Sequence, residues 1–198
     1  MRYITACMIA AGLLGSAAFL GGQEKGGKGG KKGFTLPPMI HLMVDDISDG
    51  GHIPSKYTCA AGPNSPSPAI RWSGAPANTQ SFTLILHDPD PVLGGSATND
   101  VLHWAIYNIP GDATSLPEGV KPGDQADGAK QIQNQGRNAA YLGPCPPAGH
   151  GDHHYTFEIF ALNSKLDLPE SASRADLMNA MNGKVIAKGV FIGMFGQQ

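Results

Sequence analysis

Charged residues are scarce in this sequence, and so are the patterns that mark long helices. Only 15% of the 198 residues are charged, whereas glycine and proline contribute 27 and 16 residues. This composition favours turns and short strands over long helices. Because the chain also shows no βαβ alternation and no internal repeat, it predicts a mostly-β domain.

The body of the chain is acidic. Residues 1–33 contain five Lys or Arg and one Glu, so residues 34–198 contain nine Lys or Arg against fifteen Asp or Glu. Nucleic-acid binding requires a basic face that meets the phosphates. The charge distribution therefore argues against nucleic acid as a partner.

The first 22 residues predict an export signal. One Arg precedes an uncharged, mostly apolar run over residues 4–20, which is slightly short for a membrane-spanning helix. We expect a periplasmic or secreted protein, with a retained N-terminal membrane anchor as the alternative because lysines follow the run. Residues 23–33 are rich in Gly and Lys and predict a flexible linker. Its alternative role is weak contact with a membrane surface through Lys25, Lys28, Lys31 and Lys32.

Two of the three cysteines, Cys59 and Cys145, remain once the export signal is removed. In an oxidising compartment such a pair can form a disulfide. Both cysteines lie in proline-rich, loop-like sequence, so a disulfide and two free thiols are both compatible with the sequence.

Residues 34–198 predict a single domain built from short strands. Apolar runs at 81–87, 101–110 and 155–162 predict three of them, and alternation over 184–195 predicts a closing strand. The run at 81–87 is nearly continuous at its centre, which indicates burial on both faces of that strand.

One late helix is predicted in the stretch "SRADLMNAMNG". Ser173 is a good N-cap, Asp176 occupies the third helical position, and Gly183 ends the pattern. Proline-rich residues 52–76 and glycine-rich residues 111–140 predict long ordered loops.

Polar side chains sit at the ends of three apolar strands. Asp88 and Asp90 alternate with prolines in "HDPDP", His103 opens "HWAIYNIP", and His153 and Tyr155 flank the start of "YTFEIFAL". Taken separately, each has a structural explanation, namely an Asp-Pro turn, a core histidine and a strand start. Their position at strand ends makes these residues the candidates for chemistry.

These three stretches, in this order, resemble the phosphatidylethanolamine-binding protein family, and in particular its bacterial Raf kinase inhibitor-like branch. The stretches "IPSKYTC", "SPAIRWSGAP" and "MNGKVIAKGVFIGMF" add to the resemblance, which spans about residues 40–195. It implies an antiparallel β-sandwich with a C-terminal helix and long ordered loops. It also implies a small pocket that binds phosphate or a phosphorylated head group such as phosphorylethanolamine.

The resemblance further implies which residues form the pocket. The ligand-binding residues would be Asp88, Asp90, His103, His153 and Tyr155. The wall would be Gly143, Pro144, Pro146 and Pro147. We expect His103, His153 and Tyr155 to donate to the anion, with the two carboxylates orienting the imidazoles.

This chain departs from the family pattern in two places. Pro91 comes one residue early in the acidic loop and a longer insertion follows it, so the rim geometry there stays open. His154 stands where the family usually has Arg, which replaces a fixed positive charge with a titratable one.

Two other functions were compatible with the residues. Asp88, Asp90, His103 and His153 have the residue types of a metal-dependent hydrolase, but the sequence has no HExxH pair, no Cys/His ligand spacing and no GxSxG elbow. An extracytoplasmic protein-interaction or inhibitor module is the other alternative, and the sequence identifies no protein partner for it. We therefore expect a non-catalytic binding protein without a cofactor or resident metal.

Overall fold

Two β-sheets form the body of the molecule. The computed structural model describes residues 36–169 and 171–198, and within these residues nine strands build a three-stranded and a six-stranded sheet. Little helix accompanies the sheets, which confirms the predicted mostly-β fold with a C-terminal helix and long loops. The predicted export signal (1–22) and linker (23–33) lie outside the described residues.

The larger sheet is antiparallel except at one edge. Its strands lie in the order β2 (Gly51–His52), β9 (Val185–Phe195), β8 (His153–Leu162), β4 (Ser81–Asp88), β5 (Val101–Pro110) and β7 (Lys130–Gln131). Only β2 runs parallel to its neighbour β9 among these described strands. The smaller, antiparallel sheet consists of β1 (His41–Val44), β3 (Ile70–Ser73) and β6 (Ser115–Leu116).

β4 lies in the middle of the larger sheet and is buried on both faces, as its apolar run predicted. Leu84 and Leu86 pack in the cluster shared with the smaller sheet, whereas Ile85 packs in the cluster on the opposite face. A strand buried on one face alone would alternate apolar and polar residues, so the continuous run follows from this two-sided packing.

The predicted helix is present as α2 (Arg174–Met181). Its N-cap is a capping box, since the Ser173 hydroxyl accepts from the Asp176 backbone N–H at 3.2 Å and the Asp176 carboxylate accepts from the Ser173 backbone N–H at 2.9 Å. Leu177 and Met181 are buried in the cluster that contains Ile85. The helix therefore covers the face of the larger sheet that the smaller sheet leaves free.

Short helical turns replace parts of the predicted loops. α1 (Asp90–Leu93) has Pro91 at its second position, where a missing N–H breaks no helical hydrogen bond because first-turn donors have no partner in the helix. Two 3₁₀ turns, Ser55–Tyr57 and Cys59–Ala61, interrupt the proline-rich segment.

None of the helices in the described part of the chain has the length and hydrophobicity that a membrane span requires.

A network of charges lies on the α2 side of the larger sheet. His87 Nδ1 is 2.6 Å from Asp100 and its Nε2 is 3.3 Å from Glu158, while Arg174 pairs with Asp100 and Lys188 lies 2.5 Å from Glu158. Burial raises the pKa of Glu158, but His87 and Lys188 more than offset this effect and hold that pKa at about 2. Both carboxylates of this network thus face a fixed cation.

Candidate functional site

The register of the larger sheet brings three strand ends together. His87 of β4 pairs with Thr156 of β8, and Asp88 pairs with Val101 of β5. The last residue of β4 therefore lies beside the first residues of β5 and β8. β8 begins at His153 rather than at Tyr155 as predicted, so the strand itself fixes both of these side chains on one face.

A β-bulge turns His103 toward this end of the sheet. Leu86 pairs with Trp104 and His87 pairs with Leu102, so His103 is the extra residue of β5 between two consecutive partners on β4. A bulge re-aims the side chain at that position and recurs beside functional sites. Here the His103 ring meets the Tyr155 ring edge-on, with the centroids 5.1 Å apart.

The three strand ends and the proline-containing segment 142–147 enclose a cavity of about 200 Å³. Seven of the predicted site and wall residues line it, namely Asp88, His103, Gly143, Pro146, Pro147, His153 and Tyr155. Asp90 and Pro144 do not line it, whereas Leu142 and Cys145, which the sequence did not single out as pocket residues, do. A larger cleft of about 530 Å³ lies beside the start of α2, but the small cavity has the mostly apolar wall and few convergent polar groups that are typical of ligand sites.

His153 and Asp88 form a buried pair in the cavity. His153 Nδ1 lies 2.8 Å from Asp88 Oδ2, and the two residues are 8% and 3% exposed. A carboxylate only accepts, so the proton of the neutral imidazole resides on Nδ1 and Nε2 is left for a ligand. The other Asp88 oxygen accepts from the backbone N–H of Asp90 at 2.9 Å. Asp88 thus orients His153 as predicted.

A backbone carbonyl, rather than a carboxylate, orients His103. Its Nδ1 lies 2.9 Å from the Leu142 carbonyl oxygen, which accepts only, so Nδ1 is the donor. Burial lowers the pKa of His103 below its usual 6.5. The free protein therefore holds this imidazole neutral near pH 7, with Nε2 available to a ligand.

Tyr155 contributes a buried hydroxyl whose proton has no acceptor. The residue is fully buried, and the Cys145 backbone N–H lies near the hydroxyl oxygen, but none of the described residues accepts the hydroxyl proton. Burial raises the pKa of Tyr155, so the hydroxyl keeps its proton and is a donor. An unsatisfied buried hydroxyl is costly, which identifies this atom as the one that gains most from a ligand.

Asp90 contacts His154 instead of a cavity histidine. Its Oδ2 accepts from the backbone N–H of His154 at 2.5 Å and lies 3.0 Å from His154 Nδ1. The His154 side chain is about half exposed. The structure therefore differs from the expectation that Asp90 orients His103 or His153.

The wall of the cavity is held from outside by several contacts. Cys145 lies in this wall and forms a disulfide with Cys59 in the structure. The Cys59 backbone N–H donates to the Pro144 carbonyl at 3.0 Å, and Gln197 Nε2 donates to the Pro146 carbonyl at 2.6 Å. These contacts fix a segment whose prolines cannot form a strand ladder.

Gly143 permits the close approach of the wall to the segment that carries Cys59. A Cβ atom at position 143 would lie 2.4 Å from Ser65 Oγ and 3.0 Å from the Tyr57 carbonyl oxygen. Any side chain there would push the wall away from its anchor.

The cavity carries positive charge only when one of its two histidines is protonated. No Lys or Arg lines it among the described residues, so the two imidazoles are its sources of positive charge. With both imidazoles neutral, the Tyr155 hydroxyl is a donor while the two Nε2 atoms are acceptors. Protonation of either imidazole adds a donor and a charge at the same atom.

Comparison with known proteins places the chain in a family. The family described as phosphatidylethanolamine-binding protein matches residues 44–196. The chain therefore belongs to the phosphatidylethanolamine-binding protein family, which confirms the resemblance found in the sequence.

Individual relatives agree with this assignment. A UPF0098 protein of Aquifex aeolicus is 40% identical over 158 residues, which cover 79% of this chain and 88% of the relative. LppC of Mycobacterium tuberculosis, named as a candidate lipoprotein, is 32% identical over 149 residues, covering 75% of this chain and 68% of LppC. The crystal structure of Escherichia coli YbcL matches with a TM-score of 0.69 and 28% identity over 80% of this chain and 99% of YbcL.

We predict that the Cys59–Cys145 disulfide forms in the exported protein and stabilises the fold. In a Cys7→Ala background, denatured protein should show no free thiol without reductant and two after reduction. The cysteines are 86 residues apart, so loss of the cross-link in Cys59→Ser should lower the free energy of unfolding by about 4.6 kcal/mol on the chain-entropy model. Urea denaturation would measure this change, and two reactive thiols in unreduced protein would contradict the prediction.

Proposed function

We propose that this protein binds a small oxyanion, such as phosphate or the phosphate of a phosphorylated head group, in the cavity at the ends of β4, β5 and β8. The observation that carries the proposal is the fully buried Tyr155 hydroxyl, whose proton has no acceptor among the described residues and which lies beside two histidines. A bound oxyanion would accept from this hydroxyl and from the protonated imidazoles. The volume of about 200 Å³ is sufficient for a group of that size.

Asp88 supports anion binding although it is itself negative. Its carboxylate accepts from Nδ1 of His153, which fixes the orientation of the ring and leaves Nε2 for the ligand. Protonated His153 then donates from Nε2 to the ligand while its charge is balanced on the opposite side by Asp88. Asp88 also lines the cavity, so it offers a contact to the ammonium of an ethanolamine-type head group.

Binding without turnover fits the same geometry. The one cysteine in the wall is held in the disulfide, so the cavity offers no thiol nucleophile. The Tyr155 hydroxyl is a weak nucleophile because burial raises its pKa. These groups suit recognition of an anion better than attack on it.

Export is part of the proposal. The apolar N-terminal run predicts it, and a relative named as a candidate lipoprotein supports a location outside the cytoplasm, in the periplasm or at the membrane. Such a location also favours the disulfide that anchors the cavity wall.

We predict that Tyr155→Phe weakens anion binding without destabilising the fold. The hydroxyl proton has no acceptor among the described residues of the free protein, so its removal should leave the melting temperature unchanged or raised. A hydrogen bond to a charged ligand is worth about 1.5–3 kcal/mol, so the affinity for phosphate should fall about tenfold or more. Calorimetric titration and thermal melting would measure the two effects.

Tyr141→Phe is the matched control for this substitution. The Tyr141 hydroxyl donates to the Tyr57 carbonyl at 2.7 Å, so its loss should lower the melting temperature and leave that carbonyl without its partner. Unchanged phosphate affinity in Tyr155→Phe would contradict the proposed role of the hydroxyl.

We also predict that anion affinity rises as the pH falls. Burial keeps His103 neutral in the free protein, and a bound anion favours its imidazolium, so binding takes up a proton. The gain should begin as the pH falls through the pKa of His103 in the complex and level off below its lowered pKa in the free protein, with at most about tenfold per pH unit for each proton taken up. Sulfate is the suitable probe because its charge is constant over this range.

Calorimetry with sulfate at about pH 8 and about pH 5.5 would measure this dependence. His103→Gln should reduce it, whereas His52→Gln, at an exposed histidine, should retain it. Equal sulfate affinity at both pH values in the unmodified protein would count against histidine donors.

A further inference from the structure

Three side chains at the edge of the cavity form a second cluster with a different chemistry. Asp88 ends β4, Asp90 opens α1 and His153 opens β8. Each offers one ligand atom, and these atoms lie within 4.8 Å of one another. The cluster combines two carboxylates with an imidazole, and it includes Asp90, which the anion site does not use.

The charge around this cluster differs from that around the other shielded carboxylates. Asp100 and Glu158 have side chains 23% and 14% exposed, and they pair with Arg174 and Lys188. Asp88 and Asp90 are 5% and 21% exposed, yet within the described residues their ion-pair partners are histidines only. Shielded carboxylates without a fixed cation favour the binding of a positive group.

The spacing of Asp88 and His153 suits a metal ion in place of a proton. Asp88 Oδ2 and His153 Nδ1 lie 2.8 Å apart. Two ligands at about 2.1 Å from a tetrahedral ion are separated by about 3.4 Å, so Asp88 and His153 would move apart by about 0.6 Å to share one. A mixed oxygen and nitrogen set favours Zn²⁺ and related transition ions over Ca²⁺ or Mg²⁺, which prefer oxygen.

A second observation points to a ligand at the same place. The proton of the fully buried Tyr155 hydroxyl has no acceptor among the described residues, and Tyr155 lines the cavity together with Asp88 and His153. An ion held at the cluster carries its own water or anion, whose oxygen is an acceptor for this hydroxyl. The unmatched donor therefore lies in the cavity beside a cluster whose carboxylates have no fixed cation.

We propose that Asp88, Asp90 and His153 bind a divalent transition ion of the Zn²⁺ type. The ion takes the position of the proton that His153 Nδ1 shares with Asp88, and Asp90 turns its carboxylate from His154 to the ion. Asp90 can exchange its contact with His154 for the ion because His154 has no fixed positive charge. The site does not depend on the proposed anion function, although a bound ion adds positive charge to the same cavity.

Titration of the purified protein with Zn²⁺ alone, followed by calorimetry, tests the proposal. We expect one zinc ion per chain, and in Asp90→Asn an affinity at least tenfold lower. Asp152→Asn is the matched control, since Asp152 faces His52 at 3.6 Å on the surface and should leave the zinc site intact. Co²⁺ absorption, with circular dichroism of each variant, separates loss of a ligand from loss of the fold.

A second pair of variants tests the charge argument without removing a ligand. His154→Arg places a fixed cation against Asp90 and should lower the zinc affinity about tenfold or more, whereas His154→Gln should change it little. Full zinc affinity in Asp90→Asn or in His154→Arg would overturn the proposal, as would an equal loss in His154→Gln. Sulfate titration without zinc reports on the anion site separately, so failure of one proposal is distinguishable from failure of the other.

Discussion

The hydrogen bond between Asp88 and His153 is the interaction on which the site depends. It joins the last residue of β4 to the first residue of β8, and both partners are buried. Removal of the imidazole would leave a buried carboxylate with no partner except the Asp90 backbone N–H, which is a large cost. The bond in turn depends on the register of β4 against β8, because a slip of one residue would move one of the two side chains to the opposite face.

The positive charge of the cavity depends on protonation of its two histidines. His103 is held by a carbonyl and His153 by a carboxylate, and in both rings Nε2 is the nitrogen left for a ligand. When these rings are neutral the cavity has a single obvious donor, the Tyr155 hydroxyl. The same small space can therefore be adapted to an anion by protonation or to a cation by the carboxylates.

Much of the fold follows from local sequence patterns. The apolar runs predicted β4, β5, β8 and β9, and Ser173 with Asp176 predicted the start of α2 to the residue. Strand pairing, by contrast, decides which side chains meet, and the sequence showed it only through the family resemblance. The bulge at His103 is a mismatch between two paired strands, so neither strand shows it alone.

The residues that the sequence missed or misassigned are those fixed by long-range contacts. The Leu142 carbonyl orients His103 from 39 residues away in the chain, and a backbone carbonyl carries no residue-type signal. Asp90 contacts His154 because α1 turns its carboxylate outward, and the proline pattern predicted a loop there instead of a helical turn. Whether Cys59 meets Cys145 depends on two loops approaching each other, which composition alone does not determine.

A crystal structure of the protein soaked with sulfate at about pH 5.5 tests the central claim most directly. The account predicts sulfate in the cavity, with one oxygen within hydrogen-bond distance of the Tyr155 hydroxyl, another near Nε2 of His103, and the Asp88–His153 bond retained. A closed or sulfate-free cavity, with the Tyr155 hydroxyl bonded to the protein instead, would contradict it.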